Sequence, residues 1–159
     1  MINRLLSFGY GLLAYAVFLA TFLYAIAFVG GFIVANPLDT PARTPLTEAL
    51  AINGVLLTLF ALQHSVMARP WFKRRWTRIV PPAIERSTYV LCASLALLLL
   101  FWQWRPIGIE VWNIGNPAAR AAIWVLFAAG WTTVLVTTFL INHFDLFGLR
   151  QVWLALRGR

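Results

Sequence analysis

Acidic residues are scarce in this chain of 159 residues: there are five, against 13 lysines and arginines, giving a formal net charge of +8. No acid interrupts Arg69, Lys73, Arg74, Arg75 and Arg78, and none follows until Glu85. Charged residues of both signs make up only 11%, which excludes the surface of an ordinary soluble domain. The single cysteine, Cys92, sits inside an apolar run, so no internal disulfide can form. There are two histidines, and no internal repeat or low-complexity segment divides the chain. Apolar residues are abundant instead, at 61%, with a mean hydropathy of +0.77. We therefore read an integral membrane protein. Its excess positive charge would suggest nucleic acid in a soluble protein. Here the cations flank membrane spans, where they orient the chain and meet anionic lipid headgroups, so no nucleic-acid partner is expected.

The apolar runs predict one domain, an all-α integral membrane bundle of four transmembrane helices at about 5–34, 46–67, 83–102 and 117–143. Arg4 and the small residues Ala25 to Ala27 resemble a cleavable signal peptide, but apolar residues continue to Val34, which favours a retained first helix. Thr44 and Pro45 suit the N-cap and first position of the second helix, and Pro81-Pro82 and Asn116-Pro117 mark the starts of the third and fourth. The cations at 69–78 read as a loop touching anionic headgroups. Trp102, Trp104 and Trp112, beside a loop carrying Glu110, read as an interfacial aromatic belt. After Gly148, apolar residues at helical spacing predict a short interfacial helix at about 149–157. Positive loops stay in the cytoplasm, which puts both termini on that side of a bacterial inner membrane.

With that topology the polar residues gather at one end. The second helix brings Gln63 and His64; the third brings Glu85, Arg86 and Tyr89; the fourth brings Asn142, His143 and Asp145. Asn53 lies eleven residues before His64, on the same helical face but about 16 Å away along the axis. A purely structural reading has the histidines capping helix ends while Asn53, Asn142 and the threonines of the fourth helix bond neighbouring helices. Two histidines, two carboxylates, an arginine, a tyrosine and two amides at one end exceed what anchoring requires. A neutral imidazole can take a proton, an arginine can stabilise an anion, and a carboxylate or aromatic face can hold a cationic group. On that chemistry His64, His143 and Arg86 are the candidate catalytic residues. Glu85, Tyr89 and Asp145 are candidates for holding a cofactor, and Gln63, Asn142 and Asn53 for lining a substrate pocket. Haem held between His64 and His143, as in a membrane redox subunit that could also serve a quinone, is an alternative; so are a metal held by histidine and carboxylate, and a non-catalytic scaffold.

The segments FALQHSVMARPWFKRRWTRIVPPAIERSTYVL (60–91), FWQWRP (101–106) and LINHFDLFGLRQVWL (140–154) resemble, in that order, the amino-terminal part of bacterial methanethiol S-methyltransferases. These belong to a wider group of membrane proteins that includes the NnrU-like proteins and the isoprenylcysteine carboxyl methyltransferases. The resemblance covers most of the chain from Phe60 onward. It implies an integral membrane enzyme that moves a methyl group from S-adenosylmethionine to a small thiol, turning methanethiol into dimethyl sulfide. In that group the donor is held mainly by a carboxyl-terminal region with an Arg-His-Pro motif and a later acidic pair. No Arg-His-Pro occurs here, so the main donor site is expected outside these residues.

Overall fold

The structure is a computed structural model that describes residues 2–109 and 113–159. Among the described residues seven helices follow one another: α1 (Ile2–Gly30), α2 (Leu46–Met67), α3 (Pro70–Trp76), α4 (Pro82–Gln103), α5 (Pro117–Ile141), α6 (His143–Leu146) and α7 (Leu149–Leu156). Four of them, α1, α2, α4 and α5, are long and apolar enough to cross a membrane. Glu110 and Trp112 lie outside the described residues, so the loop and belt expected there are not placed.

The helix starts follow local chemistry. Pro82 and Pro117 stand at the first turns of α4 and α5, where a missing N–H costs nothing. Asn116 caps α5 by accepting from the backbone N–H groups of Ala118 and Ala119. At α2 the cap lies one residue further on than expected. Pro45 takes the N-cap position, no side chain caps the helix, and the hydroxyl of Thr44 has no partner. The first helix ends at Gly30, four residues before the apolar run does. Gly31 adopts φ +72°, and the N–H of Phe32 returns to the carbonyl of Ala27 at 3.2 Å, the six-to-one bond of a Schellman stop. The cationic stretch is not wholly a loop, because Pro70 starts the seven-residue α3 within it. Finally, α5 ends at Ile141, two residues early, because Asn142 turns to φ 144° and becomes the cap of the separate α6.

The centre of the bundle is α4, against which α1 and α2 both pack, while α7 lies on α1 and α4. Phe28, Leu56, Leu100 and Phe101 form one core at the end of the bundle where α1 finishes. There the buried Asn53 donates to the carbonyl of Arg105 at 2.7 Å and accepts from its N–H at 2.9 Å, and the indole of Trp104 donates to Leu38 O. Met67, Tyr89 and Val90 form the second core at the other end, joined by Phe18 and Phe147. In contrast, α5 buries none of its residues. It meets α1 through aromatic rings, as between Phe22 and Trp131 at 5.5 Å. The threonine hydroxyls Thr133, Thr137 and Thr138 of α5 donate to carbonyls of their own helix, and Thr138 also meets His143 of α6. Arg4 and Gly158 lie against each other, so the two ends of the chain meet at the second core's end of the bundle.

Candidate active site at the histidine end of the bundle

The end of α2, the start of α4 and the α5–α6 junction converge beside the second core. His64, in the last turns of α2, is exposed on one side and on the other faces the buried Tyr89 of α4. The phenol oxygen lies 3.0 Å from Nδ1 and 3.1 Å from Nε2, in contact with both ring nitrogens. One helical turn back, the guanidinium of Arg86 sits 5.3 Å from the centre of the Tyr89 ring, and its Nε donates to the carbonyl of Leu146 at 2.9 Å. The result is a continuous polar chain from α6 through Arg86 and Tyr89 to His64. Gln63, beside His64, donates weakly to the sulfur of Met67 at 3.1 Å, while its carbonyl oxygen is buried without a partner.

Next to this chain is an open cleft of about 470 Å³, lined by Lys73, Glu85, Arg86, Asn142, Asp145 and Gln151 among others. That volume lies in the range of small-molecule sites. A larger hollow of about 810 Å³ lies at the opposite end, between the end of α1 and the start of α5. Neither hollow is lined by a histidine; the smaller cleft is the chemical candidate because Arg86, one step along the polar chain to His64, lines it together with Glu85 and Asp145. Within the cleft the two carboxylates differ. Asp145 accepts from the Asn142 amide at 2.7 Å and pairs with Arg150 at 2.6 Å, while its own N–H donates to Asn142 Oδ1, a reciprocal cap for α6. Among the described residues Glu85, Lys73 and Arg86 make no ion pair, so the cleft keeps unpaired charge of both signs.

His143 stands apart from the cleft lining. It is 4% exposed, with the Phe139 ring stacked on it at 4.2 Å and Phe147 and Tyr15 edge-on. Tyr15 Oη lies 2.8 Å from Nε2, and Thr138 Oγ1 lies 2.8 Å from Nδ1. Burial pushes the pKa of this imidazole below its ordinary value, because the charged form loses hydration there. The two histidines thus share one end of the bundle but not one environment. Haem ligation from both does not fit, since neither nitrogen of His143 is free to meet an iron. Among the described residues no group of three or more His, Cys, Asp or Glu stands together for a metal. Asn53 is not brought to this cluster: its amide is fully engaged with Arg105 at the far end. The sequence reading missed Tyr15, Thr138, Lys73 and Gln151. Tyr15 is one of three tyrosines in α1, with Tyr10 and Tyr24, so no local signal marked it.

No family model matches the chain, and no solved structure does. Curated proteins do. A protein of Mycobacterium tuberculosis named methanethiol S-methyltransferase is 57% identical over 99% of this chain and 64% of its own length. One of the same name from Crocosphaera subtropica is 54% identical over 96% of this chain and 60% of its own length. Mouse nurim is more distant, 33% identical over 71% of this chain and 45% of its own length. The chain spans roughly three fifths of the methyltransferases it matches. Over nearly its whole length, then, this four-span helical chain is a homologue of the proteins named methanethiol S-methyltransferase.

Proposed function

We propose that the chain forms part of a membrane methyltransferase that passes a methyl group from S-adenosylmethionine to a small thiol, methanethiol above all, at the histidine end of the bundle. The observation that carries this is the 57% identity to a protein named for that reaction. The polar chain His64–Tyr89–Arg86 beside an open cleft supplies compatible chemistry. The donor, when bound, offers an electrophilic methyl on a cationic sulfur and carries an amino-acid end with charges of both signs. Glu85 and Lys73, unlike charges without ion pairs, fit such an end. The extra length of the relatives supplies the greater part of the donor site in this reading.

A thiol is a weak nucleophile until it loses its proton. His64 is the base we assign, because its imidazole is exposed on one side and anchored by a phenol on the other. Tyr89 fixes the ring, and Arg86 holds Tyr89 from below while its positive charge favours the thiolate. His64 then releases the proton to water, and the methyl sulfide leaves through lipid, in which it is soluble. Placing α3 and both chain ends in the cytoplasm of a bacterial inner membrane follows from the rule that cationic segments stay inside. It also sets the exposed Arg74 and Arg75 against anionic headgroups.

The test is methyl transfer in membranes from isotope-labelled S-adenosylmethionine to methanethiol, read as labelled dimethyl sulfide. His64→Ala is expected to slow the reaction by roughly 10²-fold or more, as loss of a general base does. The 159 residues alone are expected to bind the donor more weakly than a full-length relative. An unslowed His64→Ala enzyme would remove His64 from the reaction, and no labelled sulfide from any form would end the assignment.

A further inference from the structure

The helix that carries the outer wall of the cleft is the least supported in the bundle. No residue of α5 is buried, and it packs chiefly on α6, the short helix it leads into. Yet Asn142 and Asp145 on the wall, and the Leu146 carbonyl that receives Arg86, all follow directly after it. Something must fix the α5–α6 junction relative to α1 and α4. At that junction sits His143, the one buried residue of α6.

Its hydrogen bonds determine its state. The hydroxyl of Thr138 lies 2.7 Å from the carbonyl of Leu135, a distance at which the oxygen pair requires the hydroxyl hydrogen between them. A hydroxyl has one hydrogen, so Thr138 Oγ1 can only accept from His143, and Nδ1 carries the ring proton. Nε2 is then bare and receives the Tyr15 hydroxyl. Both nitrogens are satisfied by the neutral ring alone. The side chains that touch the ring, Tyr15 from α1, Thr138 and Phe139 from α5 and Phe144 and Phe147 beyond, carry no charge to compensate an added proton.

We infer that His143 is a positioning residue: a neutral clasp between Tyr15 and Thr138 that hangs the fourth membrane helix on the first and so sets the wall of the cleft, leaving proton removal to His64. The inference rests on the proposed reaction only for what the cleft does. The clasp itself is a statement about packing. It separates the two histidines, which look equivalent in the sequence, by what their nitrogens can still do.

Two conservative replacements dissect it. In His143→Gln the terminal amide reaches the place of Nε2 and can accept from Tyr15; in His143→Asn it reaches the place of Nδ1 and can donate to Thr138. In the full-length protein, His143→Gln is expected to keep kcat within about tenfold of wild type. KM for the methyl donor should stay near the wild-type value in His143→Gln, which keeps the Tyr15 bond, and rise severalfold in His143→Asn, which loses it, with the acid limb of the pH–rate profile in place in both. Tyr15→Phe should show the same rise in KM, and combining it with His143→Ala should add little, since both cut one link. A fall in kcat of roughly 10²-fold in both the Gln and Asn variants, with KM unchanged and the acid limb lost, would make His143 the base and overturn the clasp. A second measurement is independent of activity. In a Cys92→Ala background, Phe22→Cys and Trp131→Cys place thiols where the α1 and α5 rings stand 5.5 Å apart. Their cross-linking by a short bifunctional thiol reagent in membranes should drop when His143→Ala or Tyr15→Phe is added. Unchanged cross-linking would refute the clasp even if no methyl transfer were found, and absent methyl transfer with the expected drop would refute only the proposed reaction.

Discussion

Replacing Gly148 by alanine tests how α6 and α7 are joined to α4. Gly148 has φ +82° and ψ 0°, the left-handed conformation, between the two short helices. A β-carbon there would lie 2.5 Å from Ser87 Oγ, 2.7 Å from Ser87 N and 3.1 Å from Ser87 Cα. The hydroxyl could rotate away; the backbone of a buried residue in the first turns of α4 cannot. The left-handed conformation costs an alanine about 1–2 kcal/mol. Making room against backbone costs about 1–3 kcal/mol more. For a chain of this size each kcal/mol lowers Tm by about 2–4 °C, so the melting temperature in detergent should fall by roughly 5 °C or more. Because Ser87 follows Arg86, the same displacement should loosen the Arg86 to Leu146 bond and raise KM for the methyl donor. Gly54→Ala is the control: nothing stands within 4 Å of its β-carbon, it lies inside α2, and it should be neutral or stabilising by about 0.4–1 kcal/mol. Ser87→Gly should not rescue Gly148→Ala, since the backbone nitrogen remains. Equal melting of Gly148→Ala and Gly54→Ala would refute the close approach of α4 to this turn.

At the opposite end, Asn53→Leu keeps the volume but orphans the N–H and carbonyl of Arg105, and thermal unfolding should show a loss of about 2–4 kcal/mol, with Asn53→Asp intermediate because it can still accept. The lowered pKa of His143 makes stability depend on pH: the unfolded chain takes a proton near pH 6.5 that the folded chain refuses. Stability should therefore be full above that pH and fall as acid is added until the folded pKa is passed, and His143→Gln should flatten this part of a melting-temperature profile. Changing Arg74 and Arg75 together to glutamine should lower the preference of the embedded protein for anionic over neutral lipid in mixed bilayers by about 1 kcal/mol per charge, with the difference shrinking at high salt.

The spans were legible because length and apolarity are local, and so were the starts at Pro82 and Asn116, where one or two residues set the first turn. The end of α1 was legible in principle, since a Gly30-Gly31 pair inside an apolar run offers a left-handed stop; its apolar continuation to Val34 hid it. For α3 no such signal existed. Seven residues are too few for a helical period to emerge, and three cations in its last turn look the same in a loop. The gathering of Gln63, His64, Glu85, Arg86 and Asp145 at one end follows from alternating spans alone. Their individual partners do not. Helical spacing put Asn53 on the face of His64, and both do look toward α4, but rise along the axis carries Asn53 to Arg105 at the other end. Tyr15 meets His143 across 128 residues of sequence. No periodicity within α1 singles it out from Tyr10 or Tyr24.

The contrast between the histidines follows from where a charge can be tolerated in such a bundle. Protonating His143 would strip Tyr15 of its acceptor and place a cation among aromatic rings at 4% exposure, with no carboxylate touching it. Such an uncompensated charge costs several kcal/mol even when the surroundings relax. His64 is exposed on one side, and on the other the neutral phenol of Tyr89 can turn to donate or accept. Under the proposed reaction the base must take up and give back a proton in every turnover, so the exposed histidine, not the enclosed one, is the one that can serve. The same chain of contacts then ties that base to the cleft. His64 leans on Tyr89, Tyr89 on Arg86, and Arg86 on the Leu146 carbonyl three residues past the clasp. Displacing the α6 wall moves the Arg86 acceptor, and with it the support beneath the phenol that orients the base. Donor contacts at the wall and proton removal at His64 are thereby coupled through four residues on three helices. That coupling is why a clasp remote from the thiol should show itself first in KM for the donor.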